Sequence, residues 1–167
     1  ALTCLKGGAG VVCEKPMAIT IEEADAMIAA SRESERLLSV YHNRHWDGCI
    51  LEAMERIRVR GEIGEVFRVE AHMGGFRHPG ETWRASRSLS GGVHYDWGVH
   101  LLEYSLQVIG SEVEEVTAFS VSGNWETRWG ATDTNEDELT AIVRFANGAF
   151  LDLRLTTLDA APDQGQV

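Results

Sequence analysis

The sequence predicts an α/β unit followed by an α+β unit, and three observations carry that prediction. A strand–helix–strand succession occupies residues 11–41, Ile50, Leu51, Met54 and Ile57 then recur at helical spacing, and Asn147-Gly148 separates two alternating runs. Strand–helix–strand implies parallel pairing. Asn-Gly between alternating runs is the strongest short-range signal of an antiparallel hairpin.

Ala1–Lys6 reads as the end of a helix, followed by Gly7-Gly8-Ala9-Gly10. Val11-Val12-Cys13 is β-prone and bounded by Gly and Pro, as suits a buried parallel strand. Thr20-Ile21-Glu22-Glu23 has the S/T-x-x-E form of a capping box and opens a helix with Ala24, Met27 and Ile28 on its apolar side. Leu37–Tyr41 is the second strand. The helix through Ile50 and Ile57 stops at Gly61. Val66–Met73 alternates, with Phe67, Val69, Ala71 and Met73 on one face, and a loop rich in Gly and Arg then runs to Gly92. Asp96–Ile109 is expected as a helix with Val99, Leu102, Leu106 and Ile109 inward, ended by Gly110. Val113–Val121, Leu139–Phe145 and Leu151–Leu155 complete an antiparallel sheet with one polar face. Two parallel strands and a helix are too little for an independent core. The chain therefore reads as part of something longer, divided at 1–43 and 44–167.

Composition narrows the function. Of 167 residues, 44% are apolar and 25% charged, the balance of a soluble globular protein. Acidic residues outnumber basic ones 26 to 15, for a net charge of −11, which argues against a nucleic-acid partner. No apolar run approaches the ~18 to 20 residues that span a bilayer, and no secretory signal pattern opens the chain. Cys4, Cys13 and Cys49 lack disulfide or metal spacing. No membrane partner is expected, and the expected compartment is the cytoplasm. Only Lys6 and Lys15 are lysines.

Three segments carry candidate chemistry. Glu14-Lys15-Pro16 directly follows a parallel strand, at the edge from which α/β sheets bind ligands. A solvated ion pair before a turn is the plainer reading, but the scarcity of lysine favours function. In Gly91–His100, Asp96 and His100 are four apart, so on a helix they share a face. A carboxylate beside an imidazole suits a general base, although by spacing alone a polar stripe that also takes in Glu103 and Gln107 is the better explanation of the pair. His42-Asn43-Arg44-His45-Trp46-Asp47 places donors, a cation and an aromatic beyond the second strand, and Trp83-Arg84 is a weaker candidate of the same kind. His94 and Asp96 diverge on a helix, so no metal site is expected. The Gly7–Gly10 cluster precedes its strand and is not the dinucleotide fingerprint.

Together these residues resemble a known family. The succession Val11-Val12-Cys13-Glu14-Lys15-Pro16-Met17, Tyr41-His42-Asn43-Arg44, Gly64-Glu65-Val66, Trp83-Arg84 and Gly91-Gly92-x-x-x-Asp96-x-Gly98-x-His100 is similar to the Gfo/Idh/MocA oxidoreductases over nearly the whole chain. Ser39–Asp47 looks most like the scyllo-inositol dehydrogenase branch, with His45 where a second arginine usually stands. The resemblance implies that residues 1–43 are the C-terminal part of a Rossmann domain. Residues 44–167 would be the family's α/β substrate and oligomerisation domain, with a largely antiparallel open sheet and its closing strands beyond Val167.

The resemblance also implies NAD or NADP as cofactor, a sugar, inositol or related polyol as substrate, and homo-oligomerisation through the sheet. Lys15, Asp96 and His100 match the family's catalytic residues. Glu14, Lys15, Pro16, Asn43, Arg44 and Trp46 would border the cofactor, and Trp83, Arg84, His94, Asp96 and His100 the substrate, with no metal. The glycine fingerprint is absent, so these residues alone are expected to be inactive. His94 stands where relatives usually carry an apolar residue. The rivals are a catalytically silent sugar- or cofactor-sensing relative and a metal-dependent lyase or hydrolase.

Overall fold

The computed structural model describes residues 1–129 and 132–161, which fall in two compact units, residues 1–43 and 44–167. In the first, α1 (Leu2–Lys6), β1 (Val11–Glu14), α2 (Ile21–Ser34) and β2 (Leu38–Tyr41) alternate as the sequence predicts. The strands are parallel, with Val11 opposite Leu38 and Glu14 opposite Tyr41. The capping box at α2 is complete: the Thr20 hydroxyl accepts the Glu23 N–H at 3.2 Å, and the Glu23 carboxylate accepts the Thr20 N–H at 3.4 Å, with the Ile19 N–H also donating to it at 3.0 Å. Leu5, Met27 and Ala30 form its buried apolar set.

The second unit contains α3 (Gly48–Met54), which continues as a π-helical turn over Glu55–Val59, then β3 (Arg68–Gly74) and α4 (Arg87–Ser90). A second π-helical turn, His94–Gly98, leads into α5 (Val99–Ile109), followed by β4 (Val113–Val121), α6 (Asn124–Trp129), β5 (Glu138–Phe145) and β6 (Phe150–Thr156). The four strands are ordered β3-β6-β5-β4. The hairpin forms at Asn147-Gly148, where Gly148 adopts φ 85° and the Asn147 side chain accepts the Ala149 N–H at 3.1 Å. The sheet is largely antiparallel, as expected, with one parallel pair that the alternation of Val66–Met73 did not reveal. β3 runs parallel to β6, from Arg68 opposite Phe150 to Gly74 opposite Thr156, a long-range pairing that local alternation does not encode.

Leu151, Leu153 and Leu155 of β6, Ala141, Val143 and Phe145 of β5, and Val69 and Ala71 of β3 are buried in one core with α5. Alternation puts polar residues on the other face, which ion pairs cross: Arg68–Asp152 at 3.4 Å, Arg154–Glu138 at 3.0 Å and Arg144–Glu115 at 3.0 Å. Phe67 precedes β3 and remains exposed. The inward face of α5 also differs from expectation. Leu101, Tyr104, Val108 and Ile109 are buried with His100 and Ser105, while Leu102 and Leu106 only flank the core. A helix apolar on most sides leaves periodicity unable to choose the stripe. Among the described residues no helix is long and apolar enough to cross a membrane.

Leu153 is 1% exposed on a strand paired on both sides. Leu153→Ala should therefore destabilise the second unit by about 2–5 kcal/mol, transfer and cavity contributions together. Urea unfolding followed by tryptophan fluorescence measures it, and an unchanged midpoint would contradict this core.

Candidate functional site

In the first unit, parallel register brings the carboxyl ends of β1 and β2 to one edge. Lys15 follows β1 there, joined to Pro16 by a cis peptide bond, and His42 and Asn43 follow β2. The Cys13 thiol donates to the Met17 carbonyl at 3.9 Å. Lys15, Pro16 and Asn43 thus stand at the edge where parallel α/β sheets take nucleotides, and an ammonium and an amide there suit a polar nicotinamide cofactor. Glu14 ends β1.

In the second unit, residues 44–47 are gripped by the π-helical turn and α5. The Arg44 guanidinium pairs with Asp47 at 3.0 Å and lies over the Trp97 ring, 5.0 Å from its centroid. His45 Nδ1 meets Glu103 at 2.8 Å. Trp46 stays exposed, edge-on to His45.

The loop after β3 is anchored from the far side of the sequence. The Asn135 amide donates to the Arg84 carbonyl at 2.7 Å, and the Ser90 hydroxyl donates to Asn135 Oδ1 at 3.1 Å. Asp133 accepts the Ser88 N–H at 2.9 Å and hydroxyls from Ser86 and Ser88. The Ser86 hydroxyl, then the Ser88 hydroxyl and N–H, hold the Asp133 carboxyl below its ordinary range. Arg87 pairs with the buried Glu136 at 2.9 Å. Gly92 has φ 132°, a conformation that favours glycine, and a Cβ there would lie 2.8 Å from a Glu136 oxygen and displace that carboxylate.

The loop presents Trp83 and Arg84, with the guanidinium 4.7 Å from the Trp83 ring centroid. Arg84 Nε approaches Asp96 at 3.6 Å. Trp83, Arg84 and Asp96 therefore form one connected group. His100, 5% exposed in the first turn of α5, joins another: the Trp97 ring lies 5.7 Å from the imidazole at 64°. Asp96 belongs to the π-helical turn, where the Val99 N–H reaches back to the His94 carbonyl. The wider turn replaces the plain α-helical i, i+4 spacing expected for Asp96 and His100. Asn135, Glu136 and Trp97 were not among the candidates. The acidic run Asp133–Asp137 before an apolar strand was the one signal for the first two.

His94 packs over Gly98, where a Cβ would collide with its ring and with Leu155. Burial lowers its pKa below the ordinary 6.5, partly opposed by the Glu136 carboxylate. A histidine with a depressed folded-state pKa contributes full stability above its unfolded value and loses it as pH falls through the folded value. The unfolding midpoint should decline as pH falls below the ordinary imidazole value of 6.5, and His94→Leu should flatten that decline. An identical pH slope in the variant would remove His94 as the cause.

Residues 51–167 match a family model described as the GFO/IDH/MocA C-terminal domain, and residues 1–42 match one for the oxidoreductase family with an NAD-binding Rossmann fold. The chain is 32% identical over 110 residues to the scyllo-inositol 2-dehydrogenase (NADP(+)) of Bacillus subtilis, covering 65% of this chain and 30% of that protein. An NAD-binding protein from Listeria innocua superposes with a TM-score of 0.82 at 30% identity, covering 95% of this chain and 43% of that one. An aldose-aldose oxidoreductase from Caulobacter crescentus, complexed with glycerol, gives 0.82 at 27% identity, covering 95% and 47%. The chain spans about a third of the length of the first curated relatives it matches, 33% and 30%.

Proposed function

The chain belongs to the GFO/IDH/MocA oxidoreductase family, and from that premise we propose that the intact protein is a dehydrogenase acting on a carbinol of a sugar, inositol or related polyol, with NAD or NADP. The observation that best supports this is the run Asp96-Trp97-Gly98-Val99-His100, with Asp96 beside Arg84 and a buried imidazole at the start of α5.

The bound nicotinamide supplies the hydride acceptor or donor. His100 takes the proton of the substrate hydroxyl as general base, a task suited to an imidazole near neutrality. Lys15 donates a hydrogen bond to the same oxygen and stabilises the alkoxide charge that develops there. Asp96, held by Arg84, takes a neighbouring hydroxyl and fixes the ring, and Trp83 gives the sugar an apolar face to stack on. Glu14, Pro16, Asn43 and Trp46 border the cofactor. His94, with its desolvated ring, narrows the choice of substrate. The open polar sheet face, continued by exposed Phe119 and Val121 on β4, serves a second copy of the protein, and the compartment is the cytoplasm.

A turnover screen of the intact protein tests the reading, with inositols and aldoses offered against NAD⁺ and NADP⁺. Reduced cofactor should appear with at least one polyol. Saturable cofactor binding with no turnover across the panel would favour a silent sensor instead.

A further inference from the structure

Building on the reading of His100 as general base, we propose that Trp97 and Arg44 are positioning residues that hold the His100 imidazole in its working orientation. A general base must present one ring nitrogen to one oxygen, and a misplacement of about 1 Å can cost on the order of 10²-fold in rate. His100 sits at the second position of α5, directly after the π-helical turn. Backbone geometry changes there, so the helix alone is a poor guarantee of where the ring points.

Two contacts from one short segment bracket it. On the N-terminal side, Trp97 stands against the imidazole at 5.7 Å, and Arg44 lies over Trp97 at 5.0 Å with its own place set by Asp47 at 3.0 Å. On the C-terminal side, His45 holds Glu103, one turn beyond His100, at 2.8 Å. Asp47, Arg44, Trp97 and His100 therefore form a chain of contacts ending on the base: an ion pair, a guanidinium over the indole face, and the indole tilted against the imidazole at 64°. A planar guanidinium suits the indole face in a way a lysine ammonium does not. With its guanidinium over the Trp97 ring, Arg44 acts here through Trp97, at a position where the family resemblance implied a cofactor contact.

The test uses the intact protein with scyllo-inositol and NADP⁺, together with NMR of protein labelled at histidine Cε1, in which His100→Asn assigns the His100 signal. Trp97→Leu and Arg44→Ala should lower kcat by about 10- to 100-fold while both KM values stay within about threefold. Trp97→Phe, which keeps a ring, should retain most of the activity. Arg44→Lys should not restore it. In the NMR experiment, which needs no turnover, Trp97→Leu should broaden or split a His100 resonance that is single and sharp in the wild type. If His100→Asn leaves turnover intact, the general-base reading fails, whereas the NMR result still decides whether Trp97 orders the ring. An unchanged His100 resonance in Trp97→Leu overturns the inference. So does a raised cofactor KM at unchanged kcat in Arg44→Ala, which would make Arg44 a cofactor contact.

Discussion

His100→Asn in the intact protein is expected to lower kcat by about 10²- to 10⁴-fold, the range contributed by a positioned general acid or base. Asparagine keeps much of the imidazole's volume and polarity but has no nitrogen that can take the hydroxyl proton near neutrality. The imidazole is only 5% exposed, so solvent is a poor substitute as proton acceptor. KM for the cofactor should change little, because the base acts on the hydroxyl oxygen. The pH dependence of kcat should also lose the limb that reports this base. Steady-state kinetics across pH measure both effects. A variant with near-wild-type kcat and the same pH profile would take the proton transfer away from His100.

Lys15→Ala should cost about 10²- to 10³-fold in kcat, as does loss of one preorganised donor to a developing oxyanion. Lys15 directly follows the carboxyl end of β1, the edge from which parallel α/β sheets bind ligands. Its contribution is largest when charge develops on the substrate oxygen, so kcat should suffer far more than cofactor affinity. Arginine keeps the charge but changes the shape and the reach, so Lys15→Arg should rescue poorly. Fluorescence titration with NADH and NADPH, beside single-turnover kinetics, separates the two quantities. Equal losses in binding and in rate would make Lys15 a cofactor ligand only.

Where structure follows local rules, it was legible. The capping box at Thr20 and Glu23 formed as written, and Asn147-Gly148 made the turn between β5 and β6. Both depend on residues within a few positions of each other. The parallel pairing of β3 with β6 depends on strands on opposite sides of α5, and alternation is the same for either direction of pairing. The inward stripe of α5 was misassigned because leucine, valine and isoleucine occur nearly all round it. The two π-helical turns have no periodic signature at all.

The site divides in the same way. Lys15, Asp96 and His100 are proposed through motif resemblance, since each belongs to a short recognisable run. Asn135 and Glu136, which anchor the Arg84–Gly92 loop, lie far along the chain from the residues they hold. Trp97 sat inside the recognised motif, yet its contacts with Arg44 and His100 appear only once the π-helical turn has placed it.

The proposed reaction transfers hydrogen from a substrate carbinol carbon directly to the nicotinamide. The most direct measurement uses a polyol that the intact protein turns over, deuterated at its carbinol carbons, with oxidised cofactor in ordinary water. Mass spectrometry and NMR of the reduced cofactor then locate the label. One deuterium is expected on the nicotinamide ring of each reduced cofactor. Deuterium appearing in the water, with an unlabelled nicotinamide, would contradict it.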